Sequence, residues 1–198
     1  MRRARAPSAA MIATGMSFAP TAAAHSGTGL PGGFVAGVLH PVGGPDHLLA
    51  MVAVGLWGAF LGARLVVALP IVFPLLMVVG AVLGMRAIPL PPVELGIAVS
   101  VFVLGLCVAG AWRAPAWLAV AIVAVFALFH GYAHGRELPS AADPVGYSAG
   151  FVLATGLLHV GGIAFAVLAT RVRRVPLTRA AGAAIALAGV FFLHGVSA

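Results

Sequence analysis

The chain has 198 residues, 62% hydrophobic and only 8% charged, with 11 Lys+Arg against 4 Asp+Glu and a formal net charge of +7. A soluble domain carries about 25% charged residues, and here the apolar character runs along the whole chain, which excludes both an ordinary aqueous domain and a globular domain with one tail anchor. All the basic residues are Arg and sit in short gaps between apolar runs, so the positive charge speaks to membrane orientation and not to nucleic acid.

The N-terminus has the three-part pattern of a secretory signal peptide. Arg2, Arg3 and Arg5 are the basic start, residues 9–19 the short apolar stretch, and Ala22, Ala23 and Ala24 a small-residue cleavage site. Residues 1–24 are expected to be cleaved, leaving 25–198 as a single transmembrane domain headed by His25, whose imidazole and α-amine together would suit metal capture; the alternative is an uncleaved first helix. Residues 30–39 are apolar but too short to span, either a re-entrant piece or an outer helix. A bilayer core asks for about 20 apolar residues per helix. Six segments meet this, at 44–61, 65–85, 93–112, 117–135, 145–170 and 177–197. The expected fold is thus an all-α polytopic bundle of about six spans plus a short broken or re-entrant N-terminal segment. Glycines such as Gly29, Gly32, Gly33, Gly37, Gly146 and Gly150 suit close helix packing.

With a cleaved signal the mature N-terminus lies outside. The inner gaps then hold Arg64, Arg113, Arg171, Arg173, Arg174 and Arg179, and the outer gaps hold Arg86 and Arg136, in agreement with the positive-inside rule. This places the chain in a bacterial inner membrane with a periplasmic N-terminus. Trp57, Trp112 and Trp117 then fall at the inner interface, as aromatic belts do.

Two constellations carry chemistry. In the first, His40-Pro41-Val42-Gly43-Gly44-Pro45-Asp46-His47, two prolines and two glycines break the helix between Leu39 and Leu48. The break allows His40, Asp46 and His47 to converge on an ion; Asp46 as a helix cap would leave both histidines unexplained. In the second, Phe129-His130-Gly131-Tyr132-Ala133-His134-Gly135-Arg136-Glu137, His130 and His134 are four apart and share a helix face, a spacing that chelates one ion. They sit at a helix C-terminus, whose dipole favours a cation, and Glu137 can ligate or orient a histidine. The arginine topology puts both constellations on the periplasmic side, in one layer.

His159 falls near mid-membrane, where it is either a second site along a pathway or a packing histidine, with Thr155 one turn earlier as its expected partner. His194 is expected at the outer interface, Met51 and Cys107 in the core, and Glu94 and Asp143 in solvated outer gaps. The lone Cys107 permits no internal disulfide and no CxxC motif. Imidazole with carboxylate suits nickel, cobalt, zinc or ferrous iron better than magnesium, calcium or cuprous copper.

The two motifs resemble the HPxxGxDH and FHGxxHGxE signatures of the HupE/UreJ family of nickel permeases, and the stretches Leu48 to Trp57 and Gly150 to His159 are similar to it as well. The resemblance covers essentially all of 25–198. It implies a permease and not an enzyme, importing nickel (or cobalt, in some relatives) for hydrogenase or urease maturation. His40, Asp46, His47, His130, His134 and Glu137 would be the metal-linked residues. No cofactor would be bound permanently; the partners would be the divalent ion, the lipid bilayer and cytoplasmic nickel chaperones of hydrogenase or urease. The sequence also admits an intramembrane zinc-dependent hydrolase, because histidines and carboxylates around zinc can activate water, and a haem-type electron-transfer bundle.

Overall fold

A computed structural model describes residues 33–62, 64–137, 143–172 and 174–197. The expected signal peptide, His25 and the start of the 30–39 segment lie outside the described residues. The described chain is all-helical: α1 (Phe34–Gly43), α2 (Pro45–Leu61), α3 (Leu65–Met85), α4 (Val93–Ala109), α5 (Ala116–Glu137), α6 (Pro144–Arg171) and α7 (Val175–Ser197).

Among the described residues, α3, α5, α6 and α7 are long and apolar enough to cross a membrane, and the α1–α2 pair, bent by 85°, brings the count to five at most. By length and composition alone this is fewer than the six spans expected. The difference lies in α2 and α4, each 17 residues, or about 26 Å at the helical rise, short of a hydrocarbon core of about 30 Å. α4 stops early because Ala111 takes a left-handed conformation (φ 48°) that turns the chain. The helix break is also tighter than the prolines and glycines suggest. α1 continues through Pro41 to Gly43, and only Gly44 leaves helical geometry (φ −94°, ψ 104°) before Pro45 starts α2 at a position where its missing N–H costs nothing.

The spans bury one face and present the other to lipid. On α3, Leu69, Phe73, Met77, Gly80 and Gly84 turn inward at three- and four-residue intervals, while Val67, Ile71, Leu75 and Val78 face out. Lipid supplies no hydrophobic drive between helices, so backbone proximity decides which pairs form. α3 packs on α5, α4 on α7, and α6 on both α1 and α2. A Cβ on Gly131 or Gly135 of α5 would collide with the carbonyls of Met77 or Ala81 on α3, and one on Gly80 or Gly84 with those of Leu128 or Tyr132. Gly37 and Gly150 make the same close approach between α1 and α6. Trp57 is fully buried: its ring stacks on Trp112 at 5.9 Å between centroids and its Nε1–H donates to the Trp112 carbonyl at 2.9 Å. Trp112 and Trp117 are exposed, and Met51 and Cys107 are buried.

Candidate metal-binding site

The bend at Gly44 turns the last turn of α1 and the first turn of α2 toward the same interior point, so that His40 and His47 approach α5 from two helices. Asp46 sits beside them with its side chain committed. Its Oδ1 accepts from the His47 backbone N–H at 2.8 Å and from the His47 ring Nδ1 at 2.8 Å. A carboxylate only accepts, so Nδ1 carries the proton and the lone pair of His47 lies on Nε2. This is how a carboxylate orients a metal-binding histidine.

On α5 the residues after each histidine, Gly131 and Gly135, seat the helix against α3. The motif's glycines thus set the contact that aims its histidines inward, and His130 and His134 are both buried. His130 Nδ1–H donates to the Phe126 carbonyl at 2.9 Å, one turn back. Its Nε2 is buried and has no hydrogen-bond partner among the described residues. In both His47 and His130 the Nδ1 bond places the proton on Nδ1 and the lone pair on Nε2.

The four imidazoles form a continuous file. Ring centroids lie 4.9 Å apart for His40 and His134, 4.7 Å for His134 and His47, and 4.8 Å for His47 and His130. Glu137 closes one end, with Oε2 3.3 Å from His40 Nε2 and 3.9 Å from His134 Nδ1. One ligand atom each from His40, His134 and Glu137 lie within 4.8 Å of one another. Two nitrogens or oxygens each about 2.1 Å from one ion are at most about 4.2 Å apart, so side-chain rotation alone can close this triad on a cation. The mixed imidazole–carboxylate set suits a borderline transition metal.

The structure therefore brings His40, Asp46, His47, His130, His134 and Glu137 into one group, with Oδ1 of Asp46 bonded to His47. His159 stands apart, behind Phe73, whose ring lies 5.5 Å from His130 and 5.4 Å from His159. The expected His159–Thr155 hydrogen bond is not made: the Thr155 hydroxyl and both His159 nitrogens have no partner among the described residues. His194 is exposed at the end of α7. Asp143 is exposed and caps α6 by accepting from Gly146 N–H at 2.9 Å, and Glu94 is exposed.

Sequence reasoning missed the aromatic walls of the site. Tyr147 lies 5.6 Å from His40 and Phe151 4.3 Å from His134, ring to ring. The available signal was spacing: Tyr147, Phe151, Thr155 and His159 recur every four residues on α6, and all four are buried.

Comparison with known proteins agrees with the two motifs. The family model described as HupE / UreJ protein matches residues 12–192. Protein HupE of Rhizobium leguminosarum bv. viciae is 46% identical over 173 residues, covering 87% of this chain and 91% of the relative. No solved structure matches significantly.

Proposed function

The chain belongs to the HupE / UreJ protein family, and on that premise we propose that it is a permease for a divalent transition metal, with nickel as cargo and cobalt as the nearest competitor. The observation that carries this reading is the convergence of the two motifs: histidines from the broken helix and from the end of α5 alternate in one file, buried except for half-buried His40, and closed by Glu137.

The ion would be captured between His40, His134 and Glu137 and passed to the lone pairs of His47 and His130. The first move gives up the Glu137 carboxylate, and the later ones exchange imidazole for imidazole. The ion thus passes from a charged entrance to neutral stations that hold it less tightly, which favours release, since a site that binds too tightly does not release.

The arginine asymmetry points the cluster to the periplasm and the far ends of α2 and α6 to the cytoplasm. Cytoplasmic metallochaperones that feed hydrogenase or urease would take the ion there. The sequence has no phosphate-binding loop, so transport would be facilitated movement drawn by cytoplasmic trapping.

The test is uptake of radiolabelled nickel in cells lacking their own nickel transporters, comparing wild type with His47→Ala and His134→Ala at matched membrane levels. Uptake by wild type that both variants lose supports the reading. No uptake of nickel, cobalt or zinc would overturn it in favour of the membrane metalloenzyme.

A further inference from the structure

Among the buried polar side chains that the permease reading leaves unused are His159 and Thr155, each 0% exposed. Neither ring nitrogen of His159 nor the Thr155 hydroxyl has a hydrogen-bond partner among the described residues. Burying such groups unbonded costs free energy, and in a helical membrane protein a hydroxyl has an easy remedy: it donates to a carbonyl of its own helix. Ser100, Ser148 and Thr170 do this, to Ile97, Pro144 and Ala166. Thr155 does not.

Their place in the fold says what could reach them. The α6 stripe that begins with Tyr147 on His40 and Phe151 on His134 continues through Thr155 to His159. From Tyr147 to His159 is about 18 Å along the helix, which carries the stripe from the entrance cluster to the middle of the span. The Phe73 ring touches the buried imidazoles of both His130 and His159, in a T-shaped contact with each. The backbone here is held firm, since a Cβ on Gly55 of α2 would strike the His159 carbonyl. Past His159 the buried positions of α6 are small, Gly162, Ala166 and Ala169. Gly162 lies against the α2 backbone at Val52 and Leu56, and Ala166 lines a cavity of about 240 Å³ with Phe60, Thr170, Arg171 and Thr178, at the arginine-rich end.

We propose that His159, with the Thr155 hydroxyl one turn before it, is an internal station where the permeating divalent ion rests after passing Phe73. This rests on the permease reading above. One imidazole and one hydroxyl form a poorer donor set than the entrance cluster, which suits a transit site from which the ion must leave.

The experiment uses full-length protein purified and reconstituted in liposomes, with Ni²⁺ and Co²⁺ as probes. His159→Leu keeps the side chain's bulk and removes its lone pairs. It should bind Ni²⁺ at the entrance with unchanged affinity but import it at least about tenfold more slowly, with Thr155→Val slowed less. His159→Cys in a Cys107→Ala background reports directly on the ion. With Co²⁺ it should develop a thiolate-to-cobalt charge-transfer band that Cys107→Ala alone lacks. This second readout decides the matter if His159→Leu does not fold. Import by His159→Leu at the wild-type rate, or a cysteine variant that imports Co²⁺ with no such band, would overturn the station while leaving the entrance cluster standing. Wild-type protein that neither binds nor moves either ion would overturn the permease reading itself.

Discussion

His40 Nε2 lies 3.3 Å from Glu137 Oε2, a contact that ties the last turn of α1 to the last turn of α5 and so joins the two sequence motifs at their far ends. The same carboxylate oxygen is 3.9 Å from His134 Nδ1. Glu137 is therefore an anionic group placed between two imidazoles of the file. Replacing it with Gln keeps its size and hydrogen-bonding reach but removes the charge that favours a cation. Glu137→Gln should weaken Ni²⁺ binding by about tenfold to a hundredfold without lowering thermal stability, as checked by titration and melting of the purified protein. Unchanged affinity would mean that the carboxylate only props the two helices together.

Asp46 acts on the site through His47. With Oδ1 bonded to both the backbone N–H and the ring Nδ1 of His47, it fixes the proton on Nδ1 and the lone pair on Nε2. Asp46→Asn keeps one oxygen acceptor but weakens the bond, and Asp46→Ala removes it. Metal affinity should fall in that order, by about tenfold and up to a hundredfold. Cobalt absorption spectra of the loaded variants should still show nitrogen and oxygen ligation with no ligand lost. A lost ligand in Asp46→Asn would show that Asp46 itself coordinates.

The spans were well marked in the sequence, because lipid imposes a length and an apolar composition that few other constraints imitate. No end of the six apolar segments is displaced by more than three residues from its helix. The convergence of His40, Asp46, His47, His130, His134 and Glu137 was legible too, from the prolines and glycines of one motif and the four-residue spacing of the other. The geometry between elements was hidden. That Gly44 alone carries an 85° bend, that Ala111 cuts α4 short, and that Phe73 touches both His130 and His159 all depend on how helices dock. Adjacency on one helix also misled: Thr155 and His159 share a face and do not pair.

Glycine seats the metal-bearing helix. A Cβ on Gly131 would meet the backbone of Met77, which cannot rotate aside, so Gly131→Ala must push α5 off α3. Overpacking of this kind costs about 1–3 kcal/mol, and here it also displaces His130 and His134. Gly131→Ala should both melt at lower temperature and bind Ni²⁺ more weakly. Gly161→Ala is the control: nothing lies within 4 Å of its added carbon, and both properties should stay at wild-type values. Equal behaviour of the two variants would show that the α3–α5 approach does not govern the site.

Orientation can be read with single cysteines in a Cys107→Ala background. Arg136 and Arg113 are both exposed, at opposite ends of α5. The arginine count assigns Arg136, next to Glu137, to the periplasmic side and Arg113 to the cytoplasmic side. A membrane-impermeant maleimide added to intact spheroplasts should therefore label Arg136→Cys, while Arg113→Cys should react only after the membrane is opened. The reverse pattern would put the His40–Glu137 entrance in the cytoplasm, and the same file of histidines would then serve export. Labelling of both from outside would mean that α5 does not span. Either result would cost import its geometric basis, because the ion meets the four-histidine file first only if the Glu137 end of α5 faces the periplasm.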